Sequence, residues 1–117
     1  MSEEEQKEFC RRFYLALDAG DADTASALFK DGTKIYLWDG KVFNTQEEFR
    51  KWFVELRSTS DQAKRSIEDF KVEGNTAKVK VVLEASKNGE KRTVGLEHIF
   101  EFEGDEVKEV YVKIKPL

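Results

Sequence analysis

Apolar and polar positions change their period several times along the chain, and each change marks an element. From Ser2 the spacing is helical: Phe9, Phe13, Ala16 and Leu17 recur on one side until Gly20, and Ser2 with Glu5 forms a capping-box pattern at the start. Asp21 caps a second, short helix from Ala22 to Phe29, with Ala25, Leu28 and Phe29 on its apolar side, before "KDG" breaks it. "TKIYLW" and "KVF" then flank Asp39-Gly40, a pair favoured in type I′ turns, and predict a small hairpin. Thr45 and Glu48 make a second capping box, opening a third helix whose stripe is Phe49, Trp52, Phe53 and Leu56 and which stops near "RSTSD".

From Gln62 onward the period is two. The alternation predicts strands over Gln62 to Glu73, Thr76 to Lys87, Glu90 to Glu103 and Glu106 to Lys115, joined by Gly74-Asn75, Asn88-Gly89 and Gly104-Asp105. In the first of them Ala63, Arg65 and Ile67 share one parity while Phe70 and Val72 share the other. A bulge near Glu68-Asp69 reconciles the two, and a bulge bends a sheet. The order α-α-β-β-α-β-β-β-β predicts an α+β fold: three helices packed on a strongly bent antiparallel sheet, a cone with a cavity between the first helix and the sheet. The 117 residues suit one domain with one core, and no repeat, linker or low-complexity segment divides them.

Charge narrows the partners. Charged residues make up 38% of the chain but sum to only −4, so neither nucleic acid nor an anionic membrane is an expected partner. Lys78, Lys80, Glu84, Glu97 and Glu101 lie on the outer face of the sheet, which argues for a monomer. The single cysteine, Cys10, cannot form an internal disulfide. No apolar run approaches the roughly 20 residues needed to span a bilayer, and "MSEEEQKEF" lacks signal-peptide character, so a soluble, intracellular-type protein is expected. No metal-ligand cluster, glycine-rich phosphate loop or Ser/His/Asp signature is present.

The informative residues are polar ones on apolar faces. In "VGLEHIFEF" the only histidine, His98, shares parity with Val94, Leu96, Phe100 and Phe102. Arg65 falls in with Ala63 and Ile67, and on the first helix Tyr14 and Asp18 stand in a row with Cys10, beside Phe9, Phe13 and Leu17. Taken singly each has a plain explanation: a core histidine with one hydrogen bond, a core tyrosine, a solvated aspartate, an arginine reaching out of the cone's open end. Burying unpaired charges is costly, so together they predict two pairs, Asp18 with Arg65 and Tyr14 with His98, around a functional pocket. Cys10 with His98 as a thiol nucleophile and base is a weaker alternative, and Cys10 is more simply core filler. Trp38 and Trp52 read as packing residues.

One proline, many Lys and Glu, and well-formed caps and turns at nearly every junction are what deliberate idealisation produces. The element order resembles the nuclear transport factor 2-like superfamily. Across "RRFY", "ALD", "GDADTA", "LWDG", "EEFRKWF", "NG" and the strand carrying His98, the chain more specifically resembles the de novo designed luciferases of the LuxSit type built on that cone. The resemblance implies Tyr14, Asp18, Arg65 and His98 as catalytic groups, with Leu96 and Val110 at pocket-tuning positions. Phe13, Leu37, Ser60, Phe100 and Val112 complete the expected substrate contacts. Ser60 replaces an arginine of the founding pattern, as in improved members, while Cys10 and much of the Lys/Glu surface differ and suggest a redesigned descendant. The implied activity is cofactor-independent oxidation of a small imidazopyrazinone luciferin such as diphenylterazine, with dioxygen as co-substrate and light as output. A chain of that kind has no natural compartment, and recombinant cytoplasmic expression is expected. Two other functions fit the same residues: a small-molecule binding module without chemistry, and an isomerase-like enzyme with Asp18 as general base.

Overall fold

The computed structural model describes all 117 residues, and its elements begin where the caps predict. Helix α1 spans Glu3–Asp18; the Glu5 amide donates to Ser2 Oγ at 3.1 Å and the Ser2 amide to Glu5 Oε1 at 3.0 Å, closing the capping box. Helix α2 spans Ala22–Ala27, ending before Leu28 and Phe29, with the Thr24 amide donating to Asp21. Helix α3 spans Gln46–Ser58, and the Glu48 amide donates to Thr45 Oγ1 at 3.1 Å.

Six strands form one sheet: β1 Lys34–Tyr36, β2 Val42–Phe43, β3 Gln62–Glu73, β4 Thr76–Lys87, β5 Glu90–Glu103 and β6 Glu106–Lys115, in spatial order β2-β1-β6-β5-β4-β3. The last four make the expected antiparallel meander. The small hairpin extends it through β1, which runs parallel to β6 with Ile35 opposite Val110, so the sheet as a whole is mixed. Its turn is not type I′, because only Gly40 has positive φ (89°) and Asp39 does not. Instead Gly40 donates to the Leu37 carbonyl and Leu37 to the Lys41 carbonyl across the loop Trp38, Asp39 and Gly40. The geometry is a tight turn followed by a left-handed glycine. Asp39 supports it by accepting from the Lys41 amide at 3.1 Å.

Two features in neighbouring rows bend the sheet. Ile67 faces Val81 and Asp69 faces Lys80, which leaves Glu68 as the extra residue of a bulge. Close by, one row beyond Ile67 and Val81, Ser66 faces Val82, Val82 faces Gly95, and Gly95 faces Lys115. A Cβ on Gly95 would stand 2.6 Å from the Lys115 carbonyl oxygen, so the backbones approach there as only glycine permits. The concave side this creates receives α1 and α3. At its closed end Phe9, Phe13, Phe29, Phe49, Phe100 and Phe102 pack largely edge to face, with centroids 5.2 Å apart for Phe13 and Phe29 and 5.4 Å for Phe9 and Phe102.

Gly95→Ala should therefore cost about 1–3 kcal/mol, because the intruding methyl meets main chain that cannot rotate away. Urea unfolding checks this: the midpoint should fall, and an unchanged midpoint would show that the close approach does not constrain the bend.

Candidate active site

Between the helices and the concave face lies a cavity of about 240 Å³. Helix α1 contributes Phe13 and Leu17, α3 contributes Trp52, Phe53 and Leu56, and strands β5 and β6 contribute Val94, Leu96, Val110, Val112 and Ile114. Of the 16 residues that line it, only Arg65 and His98 are polar. Both come from strands, on the inward parity, and each is held from behind by a residue of α1.

Asp18 holds Arg65. Its carboxylate oxygens each accept from the Arg65 amide at 3.1 Å, and Oδ1 accepts from the guanidinium Nη1 at 2.9 Å. The Arg65 side chain is 7% exposed and that of Asp18 23%, so the cation is the more deeply placed partner. Burial pulls the Arg65 pKa down while the Asp18 carboxylate pushes it up; a guanidinium starts so far above neutrality that the charge stays. The other guanidinium N–H groups find no protein acceptor. Asp18 itself faces away from the cavity, into a polar surface groove with Arg57, Gln62 and Lys64.

Tyr14 holds His98. The hydroxyl lies 2.8 Å from Nδ1, and both residues are buried. That oxygen has no other partner, so its proton is satisfied only if the hydroxyl donates to Nδ1. The hydrogen-bond inventory thus assigns Nδ1 as acceptor and leaves the ring proton on Nε2, which has no protein partner. Burial, and then the charge of Arg65, lower the His98 pKa from 6.5 to about 3, while burial raises that of Tyr14 well above its ordinary value. The pair is neutral at physiological pH, and its free end is an N–H donor.

The four residues expected to converge on the pocket therefore divide into two roles: Arg65 and His98 line it, whereas Tyr14 and Asp18 brace them from outside. Among the expected substrate contacts, Phe13, Leu96, Val110 and Val112 line the cavity and three do not. Phe100 is fully buried in the aromatic cluster below His98. Leu37 is buried elsewhere in the core, and Ser60 lies past the end of α3, where its carbonyl accepts from Arg57 and its side chain borders a separate polar groove. Conversely, Trp38 and Trp52, read as packing residues, both face the cavity, with rings 6.2 Å apart and edge-on. Cys10 is fully buried with its thiol pushed up to about 12 by burial, which makes it core filler and an inert thiol. No three His, Cys, Asp or Glu side chains cluster in a way that would hold a metal ion.

A cone with an apolar cavity and two inward donors defines a small-molecule binding or catalytic domain. The family is explicit: residues 10–110 match the SnoaL-like domain, and the chain belongs to that family. Solved structures agree on the fold. The putative hydroxylase AclR from Streptomyces galilaeus superposes with a TM-score of 0.83 at 13% identity, covering 97% of this chain and 81% of that one. An M. tuberculosis LEH-like epoxide hydrolase gives 0.79 at 12% identity, covering 95% and 83%. A de novo designed protein with a curved β-sheet gives 0.75 at 22% identity, covering 99% and 89%. A comparison with curated protein sequences finds no match. No helix is long and apolar enough to cross a membrane.

The histidine makes acid stability a test of the site. Unfolded, His98 takes a proton near pH 6.5; folded, it resists until about pH 3. Between those values the unfolded state binds the extra proton, so this contribution is intact above pH 6.5 and is lost as the pH falls towards 3. Chemical unfolding from pH 7.5 to 3.5 should show the wild type losing stability more steeply than His98→Gln. Parallel curves for the two proteins would mean that the imidazole is not held neutral.

Proposed function

We propose that this protein is a cofactor-independent luciferase that oxidises a synthetic imidazopyrazinone of the diphenylterazine kind with dioxygen and emits light. One observation carries the proposal: two N–H donors, one of them permanently charged, face an otherwise hydrocarbon cavity whose walls supply no base. Nε2 of His98 already carries its proton, and both oxygens of Asp18 accept from Arg65 outside the cavity. Such a site stabilises an anion without making one.

The imidazopyrazinone loses its proton to solvent and occupies the cavity as the anion, with developing negative charge beside Arg65 and a second hydrogen bond from His98. Dioxygen adds to the carbon beside the carbonyl, the resulting peroxide attacks the carbonyl and expels its ring nitrogen as the amide anion, and the dioxetanone so formed opens by breaking its O–O and C–C bonds. One oxygen atom leaves in carbon dioxide and the other remains in the amide, which is formed excited. Dry walls of Phe13, Leu96, Val110 and Val112 keep water from the emitter. Asp18 acts as a positioning residue for Arg65, and Tyr14 as one for His98. The isomerase-like alternative loses its base, because Asp18 points into the outer groove. The chain is proposed to work as a monomer, consistent with the exposed lysines of the outer sheet face.

Photon counting after mixing the pure protein with diphenylterazine in air tests the activity. Arg65→Ala should lower kcat by about 100-fold, as for loss of a preorganised donor to an oxyanion, and His98→Ala should lower it by about tenfold or more. Equal light from Arg65→Ala and wild type would refute the assignment, and darkness from folded wild type with ligand bound would identify a binding module instead. The pH profile of kcat/KM should follow the ionisation of free luciferin alone. A limb that disappears in His98→Gln would show that the histidine does take the proton.

A further inference from the structure

We infer that the exposed apolar rim of the cavity, formed by Trp38, Leu56 and Ile114, is a second subsite that holds an aryl arm of the ligand outside the enclosed chamber. The inference rests on the proposed imidazopyrazinone substrate for the identity of the arm. Its physical basis is a mismatch of size. Sites that enclose drug-sized ligands measure roughly 300–1,000 Å³, and this chamber holds about 240 Å³. A fused heterobicycle fits within it, whereas a bicycle carrying aryl substituents overflows.

The overflow meets a prepared surface. Trp38, Leu56 and Ile114 remain 47%, 38% and 51% exposed, yet each also lines the chamber, so the apolar wall continues unbroken to the outside. They come from three separate elements, the β1–β2 turn, the last turns of α3 and the end of β6, and ring one mouth. An apolar ring at a cavity entrance, on a chain otherwise rich in surface charge, marks a contact site. Trp38 is braced edge-on by Trp52, at 61° between rings, which offers an arm an aromatic face already fixed in place. The occupant is thus an uncharged aryl group, tethered to a core that sits between Arg65 and His98.

The test is a double substitution, Leu56→Ser with Ile114→Ser, compared with wild type for two ligands. Tryptophan fluorescence measures binding of the amide product of diphenylterazine oxidation and of the same fused core without aryl groups, so that no turnover is required. The variant should bind the arylated amide about tenfold more weakly and the bare core within about twofold of wild type. Equal weakening of both ligands, or of neither, overturns the subsite. Loss of a wild-type dimer in the variant during size-exclusion chromatography also overturns it, since a second copy would then cover the rim. Ile114→Ser alone supplies the same comparison if the double variant does not fold. Darkness from wild type with the differential binding intact would sink the luciferase proposal and leave the subsite standing; light without the differential would do the reverse.

Discussion

The grip of the Asp18 carboxylate on Arg65 is the constraint on which the site depends. A guanidinium at the wall of a hydrocarbon cavity is stable only where its desolvation is offset, and Asp18 does this with three contacts, two to the main chain of β3 and one to the side chain. The price is paid at the helix end. Asp18 is the last residue of α1, where the helix dipole disfavours an anion, and the last turn contains no basic residue. The arginine of a neighbouring strand supplies the missing positive charge. One interaction therefore completes a helix terminus, docks α1 against β3 and sets the charge that faces the cavity.

The cavity follows from the bend. Glu68 adds a residue to β3 between the Val81 and Lys80 rows, and Gly95 removes a side chain from β5 in the nearby row of Ser66, Val82 and Lys115. Insertion on one strand and close backbone approach on another, in neighbouring rows, bend the same part of the sheet. A flat sheet would bring the side chains of Val81, Leu96 and Val112 into a closed layer against α1. The bend instead separates a closed end, filled by phenylalanine rings, from an open end where the walls part and two polar groups reach the void.

Much of this was legible in the sequence because caps, turn pairs and strand parity are local signals. Parity alone placed His98 and Arg65 inward, and helical spacing placed Tyr14 and Asp18 beside the core. Parity reports a face and not a depth, which is why Phe100 was expected at the cavity: it shares a face with His98 but lies two residues deeper, where the cone has closed over it. The same limit merged the lining and bracing residues into one group, since a tyrosine behind a histidine and a tyrosine beside it have identical spacing. Leu37 and Ser60 came from resemblance, and a change of turn or loop path moves such positions without altering the pattern around them. Trp38 shows this directly: the three-residue loop closed by Gly40 carries its ring to the mouth, while a type I′ pair would have left it within the strand.

The division between lining and bracing residues also decides what chemistry the cavity favours. Tyr14 can give its proton only to Nδ1, so the imidazole presents an N–H and not a lone pair. Asp18 holds Arg65 with both oxygens and borders the outer groove, so no carboxylate lines the cavity. Each brace converts an amphoteric or acidic-range group into a fixed donor or a fixed anchor. General-base catalysis needs a group that changes protonation near the working pH, and this wall has none. Stabilisation of an anion needs the reverse: donors that stay protonated, in low dielectric, with no reorganisation when charge arrives. The proposed function meets that requirement: its substrate ionises by its own acidity and reacts as the anion, with selectivity set by the shape and dryness of the apolar walls.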